Sequence, residues 1–206
     1  MQGSTINQDQ AALNYAAHQS ETHHAEHPDL RLFGFIIFLI SETMLFVGLF
    51  LAYFAYRAVA PSWPPEGTPD LELLLPGINT LILLSSSFVI HKADVAVKQS
   101  NLAGMRTWFL ATMAMGATFL AGQIYEYNHL EFGLTSNLFG STFYVLTGFH
   151  GLHVFAGLLL MSIVLWRSRK PGHYTPQKHF GAEAAEIYWH FVDGVWVVLF
   201  TILYLF

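Results

Sequence analysis

The groups in this sequence that could do chemistry are carboxylates and imidazoles set inside apolar runs: Glu42, His150 with His153, His190 with Asp193, and Glu126 with His129. Each pair is spaced i, i+3, which puts both side chains on one face of a helix. An imidazole beside a carboxylate can pass protons, hold a metal or a haem, or tie two helices together by hydrogen bonds. Glu42 lies eleven residues past Arg31. At about 1.5 Å per residue it sits about 16 Å into a hydrocarbon layer roughly 30 Å thick, too deep to reach water. A carboxylate there costs at least about 2.5 kcal/mol, so Glu42 is expected either protonated or paired to a donor on a neighbouring helix. Two readings stand for it, an interhelical hydrogen bond and a part in proton handling.

His153, His190 and Asp193 are expected at similar depth in the cytoplasmic half, as a polar cluster between two helices with His150 one turn away. Such a cluster either fixes helix register, at about 0.6 kcal/mol per bond, or takes part in proton chemistry. Gly148, Gly151, Ala156 and Gly157 beside it would let the helices approach closely. Glu126 is placed near the exoplasmic boundary between Tyr125 and Tyr127, where a charge costs little. Ser85, Ser86 and Ser87 read as small packing hydroxyls, since no base lies at helical spacing beside them to make a nucleophile. His18, His23, His24 and His27 in the N-terminal tail could bind a divalent metal, but read as a solvated surface.

The elements that must position these groups are transmembrane helices. Hydrophobic residues make up 53% of the 206, and charged ones only 11%, the balance of a membrane protein. Five segments are long and apolar enough to cross: roughly 32 to 56, 73 to 92, 105 to 127, 139 to 166 and 186 to 206. The fold class is therefore all-α, a polytopic five-helix bundle over 31–206, preceded by a polar, flexible cytoplasmic tail over 1–30. That tail lacks the apolar core and cleavage site of a secretory signal, so the first apolar run is expected to remain as a helix. Pro61, Pro64, Pro65 and Pro69 stop the first span, and Pro171, Gly172 and Pro176 the fourth. With alternating directions, Arg31, Lys92, Lys98, Arg106, Arg167, Arg169, Lys170 and Lys178 fall on one side and Arg57 alone on the other. Basic residues stay on the cytoplasmic side, which places the N-terminus there.

Several classes are disfavoured. A net charge of -5 with nine Lys and Arg offers no groove for nucleic acid. The absence of cysteine removes disulfides, iron–sulfur clusters and thiolate copper sites. A di-iron bundle needs two Glu-x-x-His motifs on facing helices, and only Glu126 and His129 fit within the spans. A haem-binding membrane cytochrome would use His153 and His190 as axial ligands, against which Asp193 and bulky Trp189 argue. Internal repeats of the kind carriers show are absent. No cofactor is expected in this chain.

The motifs Ser41-Glu-Thr-Met-Leu-Phe46, Gly122-Gln-Ile-Tyr-Glu-Tyr127, Thr147-Gly-Phe-His-Gly-Leu-His-Val154 and Tyr188-Trp-His-Phe-Val-Asp-Gly-Val-Trp196 lie in order on four helices. Through them the chain resembles subunit III of haem-copper oxidases, most closely the bacterial cytochrome c oxidase form. The resemblance implies a non-redox subunit packed directly against subunit I, which holds the haems and copper, with subunit II in the same complex. The whole complex reduces oxygen, pumps protons and receives electrons from cytochrome c or another donor. It further implies bound phospholipid, support of proton uptake and turnover stability, and a carbodiimide-reactive membrane carboxylate at Glu42. These roles carry over more loosely to His150, His153, His190 and Asp193. The implied location is a bacterial cytoplasmic membrane, or a thylakoid membrane in a cyanobacterial host. Many members have seven helices with a lipid-holding cleft between the first two and the other five, so here such a cleft is expected to be open or closed by another subunit. Five-helix subunit III of quinol oxidases is the nearest alternative, and Glu42 favours the cytochrome c branch.

Overall fold

The computed structural model describes residues 30–69, 71–170 and 172–206. The histidines at 18, 23, 24 and 27, the remainder of the predicted tail before Leu30, and the predicted breaker Pro171 lie outside the described residues. Among the described residues five helices follow in order: α1 Leu30–Val59, α2 Leu74–Lys98, α3 Leu102–His129, α4 Leu138–Ser168 and α5 Phe180–Phe200, the last running into a π turn at Thr201–Leu205. Among the described residues the only β pairing is an isolated bridge between Thr175 and Lys178. The chain divides by compactness inside α1, with one unit ending at Ile36 and Ile37–Phe206 forming the other. The packing that follows is that of Ile37–Phe206.

Local chemistry sets the helix ends. Asn101 and Asn137 each accept a hydrogen bond from an N–H three residues on, at Gly104 (2.8 Å) and Gly140 (2.7 Å), and so begin α3 and α4. Pro76 sits in the first turn of α2, where the missing N–H leaves no gap in the ladder. α4 stops before Gly172, which takes a positive φ of 73°. Four helical segments, α1, α2, α4 and Phe180–Leu205, are long and apolar enough to cross a membrane. α3 matches them in length at 28 residues, but Thr107, Thr112, Thr118, Gly116, Gly122 and Gln123 dilute its apolar character.

Neighbouring helices alternate in direction as expected. Trp189 Nε1 donates to Ser86 Oγ (2.8 Å) and Trp196 Nε1 to Thr80 Oγ1 (2.9 Å), so climbing α5 means descending α2. Arg106 donates through Nε to Ser168 Oγ (3.0 Å) and through its guanidinium to the Ser168 carbonyl, which sets the start of α3 beside the end of α4. At the opposite end Tyr53 donates to the Ile202 carbonyl (3.4 Å) and Arg57 to that of Phe206 (3.0 Å), joining the C-terminal ends of α1 and α5.

Close approach depends on glycine, though only partly on the glycines expected. Trp189 fills a slot between α3 and α4: a Cβ on Gly116 would lie 2.5 Å from its ring, and one on Gly157 2.8 Å. A Cβ on Gly122 would stand 2.0 Å from the Asn79 amide of α2. Gly148 and Gly151 meet only ordinary contacts, at 3.8 Å and 3.7 Å. The tight crossings follow the bulky partner, Trp189, and not the density of small residues along α4.

Candidate functional site

Glu42 and His153 form the contact that ties α1 to α4. On α1, Glu42, Phe46, Leu49 and Tyr53 fall on one stripe, of which Phe46 and Tyr53 are buried. His153 Nε2 lies 3.0 Å from Glu42 Oε2, and both side chains are largely shielded. Phe46 and Phe149 close over the imidazole, with ring centroids 4.8 Å and 4.7 Å away. His153 Nδ1 is 2.8 Å from the Phe149 carbonyl, which can only accept, so Nδ1 carries hydrogen. Nε2 then faces Glu42 either as a lone pair meeting a carboxylic acid or as an N–H meeting a carboxylate. In both forms the pair shares one proton and has no net charge, which answers the cost of a carboxylate at this depth. The expected partner on a neighbouring helix is therefore His153.

That finding breaks up the expected cluster. His153 does not meet His190 or Asp193, because α5 turns those two residues toward α2 while it presents Trp189 to α3 and α4. Spacing of i, i+3 places two side chains on one face but does not say which neighbour that face meets. The pair a transmembrane haem would require, His153 and His190, thus faces different helices. His190 and Asp193 instead join residues the sequence left aside. Ser87 donates to Asp193 Oδ2 and lies 3.1 Å from His190 Nδ1. Glu186 lies 3.6 Å from His190 Nε2 and 2.9 Å from His91 Nδ1. Ser86 and Ser87 are therefore not mere packing residues. Because the single hydroxyl hydrogen of Ser87 is committed to Asp193, the arrangement is not that of an activated nucleophile. The signal for Glu186 was present in the sequence as the i, i+4 spacing to His190.

His150 stands apart from both groups. It is fully buried, stacked on Trp196 at 4.9 Å and edge-on to Phe119 at 5.8 Å, and among the described residues neither ring nitrogen has a hydrogen-bond partner. Glu126, expected near the exoplasmic boundary where a charge costs little, is buried. It accepts from Tyr204 Oη (2.9 Å) and Gln123 Nε2 (3.0 Å), so the π turn after α5 is bonded to α3. His129 bonds instead to the Tyr125 carbonyl (2.8 Å).

The fold and these contacts define a helical membrane protein with ionisable pairs set between helices, Glu42 with His153 and Glu186 with His91. The family model described as cytochrome c oxidase subunit III matches residues 13–206. A protein named cytochrome c oxidase subunit 3 from Synechocystis sp. is 63% identical over 191 residues, 93% of this chain and 82% of that one. One of the same name from Thermostichus vulcanus is 60% identical over 183 residues, covering 89% and 90%. A probable cytochrome c oxidase subunit 3 from Nocardia farcinica is 43% identical over 186 residues, covering 88% and 91%. The chain belongs to the cytochrome c oxidase subunit III family.

Proposed function

We propose that this chain is the non-redox subunit III of a terminal cytochrome c oxidase, crossing the membrane five times with a cytoplasmic N-terminus and packing against subunit I beside subunit II. The haems and copper belong to those partners, and the oxygen reduction and proton pumping belong to the whole complex. The observation that carries this reading is the Glu42–His153 pair, a neutral, proton-sharing lock in the subunit III motif on α1. Basic residues at the α2–α3 and α4–α5 ends, with Arg57 at the other, support the orientation. The length of α3, and its place between two antiparallel neighbours, support its crossing as the fifth span.

Phospholipid is the second partner. An apolar groove between α1 and α4 holds cavities of about 560 and 380 Å³ that share Leu49 and Val145. Its walls suit an acyl chain. In this reading Glu42 and the polar groups of α4 and α5 keep the bundle in register beside subunit I and sustain its proton uptake and turnover stability. The membrane is a bacterial cytoplasmic membrane, or a thylakoid membrane where the host is a cyanobacterium. Affinity purification of the chain from its host membrane, followed by spectra and oxygen consumption, tests the assignment. The expected result is a haem-copper core that copurifies and oxidises ferrocytochrome c. Quinol oxidation without cytochrome c oxidation, or a haem band from the isolated chain, would overturn it.

A further inference from the structure

We infer that the seam between α2 and α5 is a proton relay, carrying protons from the Lys98 end of the bundle through His91, Glu186, His190 and Ser87 to Asp193. It is built from two facing stripes. On α2, Ser87, His91, Asp94 and Lys98 recur at i, i+4, i+7 and i+11, and on α5, Glu183, Glu186, His190 and Asp193 recur at i, i+3, i+7 and i+10. The groups follow one another along the seam: His91 stands 2.9 Å from Glu186, His190 3.1 Å from Ser87 and Ser87 is bonded to Asp193, while Glu186 and His190 are 3.6 Å apart, an ion-pair contact that must shorten for a proton to cross. From Glu186 to Asp193 the line advances about 10 Å along the helix.

The line ends on its most buried group. The side chain of His91 is 64% exposed and that of His190 44%, whereas Asp193 is 4% exposed as a residue. Charges gather at the open end, where Lys98 pairs with Asp94 at 2.5 Å and feels Glu183 and Glu186. Behind the seam, Trp189 lies against Gly116 of α3 and Gly157 of α4. His190 is the titratable group that faces Asp193, and Ser87 its hydrogen-bond donor. At the inner end Asp193 is buried and accepts from Ser87 through Oδ2.

One proton passes in four moves. The His91 imidazolium gives its Nδ1 proton to Glu186 Oε1, and the resulting acid gives it to His190 Nε2. His190 releases its Nδ1 proton to Ser87 Oγ while Ser87 passes its own hydroxyl hydrogen to Asp193. His190 ends in the other tautomer and resets by exchanging that proton, and no bond between heavy atoms changes.

The full chain in lipid nanodiscs, followed by time-resolved infrared spectroscopy after a rapid drop in pH, tests this. The carboxyl band of Asp193 is identified by its loss in Asp193→Asn. Its appearance should slow at least tenfold in Glu186→Gln and in Ser87→Ala, and recover in Ser87→Thr, which keeps the hydroxyl. His91→Phe, at an exposed position that leaves the core intact, should slow it as well and keeps the test decisive if Ser87→Ala does not fold. An unchanged rate in Glu186→Gln and His91→Phe, or no band lost in Asp193→Asn, would overturn the relay.

Discussion

A carboxylate at the depth of Glu42 must be neutralised, and the structure does this with one shared proton. The need was legible from a single residue and its distance from Arg31, because burial cost depends on depth alone. The partner was not, because spacing along α4 and α5 leaves the rotation of each helix about its axis undetermined. Glu42→Gln replaces the acid by an amide that can still donate to His153 Nε2, so its unfolding midpoint in detergent should match the parent. Glu42→Leu and His153→Leu should each lower stability by about 0.6 to 1.7 kcal/mol, the range of interhelical hydrogen bonds in a membrane. Combined, they should cost less than their sum, since each removes the same contact. Additive losses in denaturant titrations would show that the two residues act separately.

Between helices, the shape around Trp189 outweighs any single hydrogen bond. Interhelical bonds contribute about 0.6 kcal/mol on average, whereas overfilling a packed site costs about 1 to 3 kcal/mol. Gly116→Ala should therefore destabilise more than loss of the Trp189–Ser86 bond in Ser86→Ala. Pairing Gly116→Ala with Trp189→Phe should recover part of the loss, measured as thermal unfolding of the purified chain. The connection after α4 has its own pH response. Tyr174 is buried against Gly181, and burial pushes its phenol above the ordinary tyrosine value, with the nearby Arg167 charge partly opposing. A group that resists ionising in the folded form contributes stability that is present below its unfolded value of about 10 and is lost as pH rises through the folded one. Proteolysis between α4 and α5 should accelerate above that pH in the parent, and Tyr174→Phe should remove the step.

At the scale of the whole molecule, the helices and their alternating directions were legible because apolar runs, prolines and basic residues are local signals. The α2–α5 seam was not, although both stripes are present in the sequence, because stripes on different helices face each other only once the crossing is set. The crossing is set by Trp189 and Trp196 reaching Ser86 and Thr80, bonds between residues more than a hundred positions apart. α3 is the least apolar of the five helices and also the one whose buried groups, Gln123 and Glu126, are bonded within the bundle. Its polar residues are thus satisfied by the protein and need no water, which is the condition for crossing a membrane. In the proposed reading, the bundle would lend shape, lipid contacts and proton-sharing groups to subunit I, while the redox steps would occur in its partners. Removing the chain from that complex should therefore leave a subunit I and II core that reduces oxygen at first and then loses activity with successive turnovers. Oxygen consumption followed over time, with haem spectra before and after, distinguishes this decay from immediate failure. Immediate and complete loss with the haems intact would place this chain inside the reaction and contradict its supporting role.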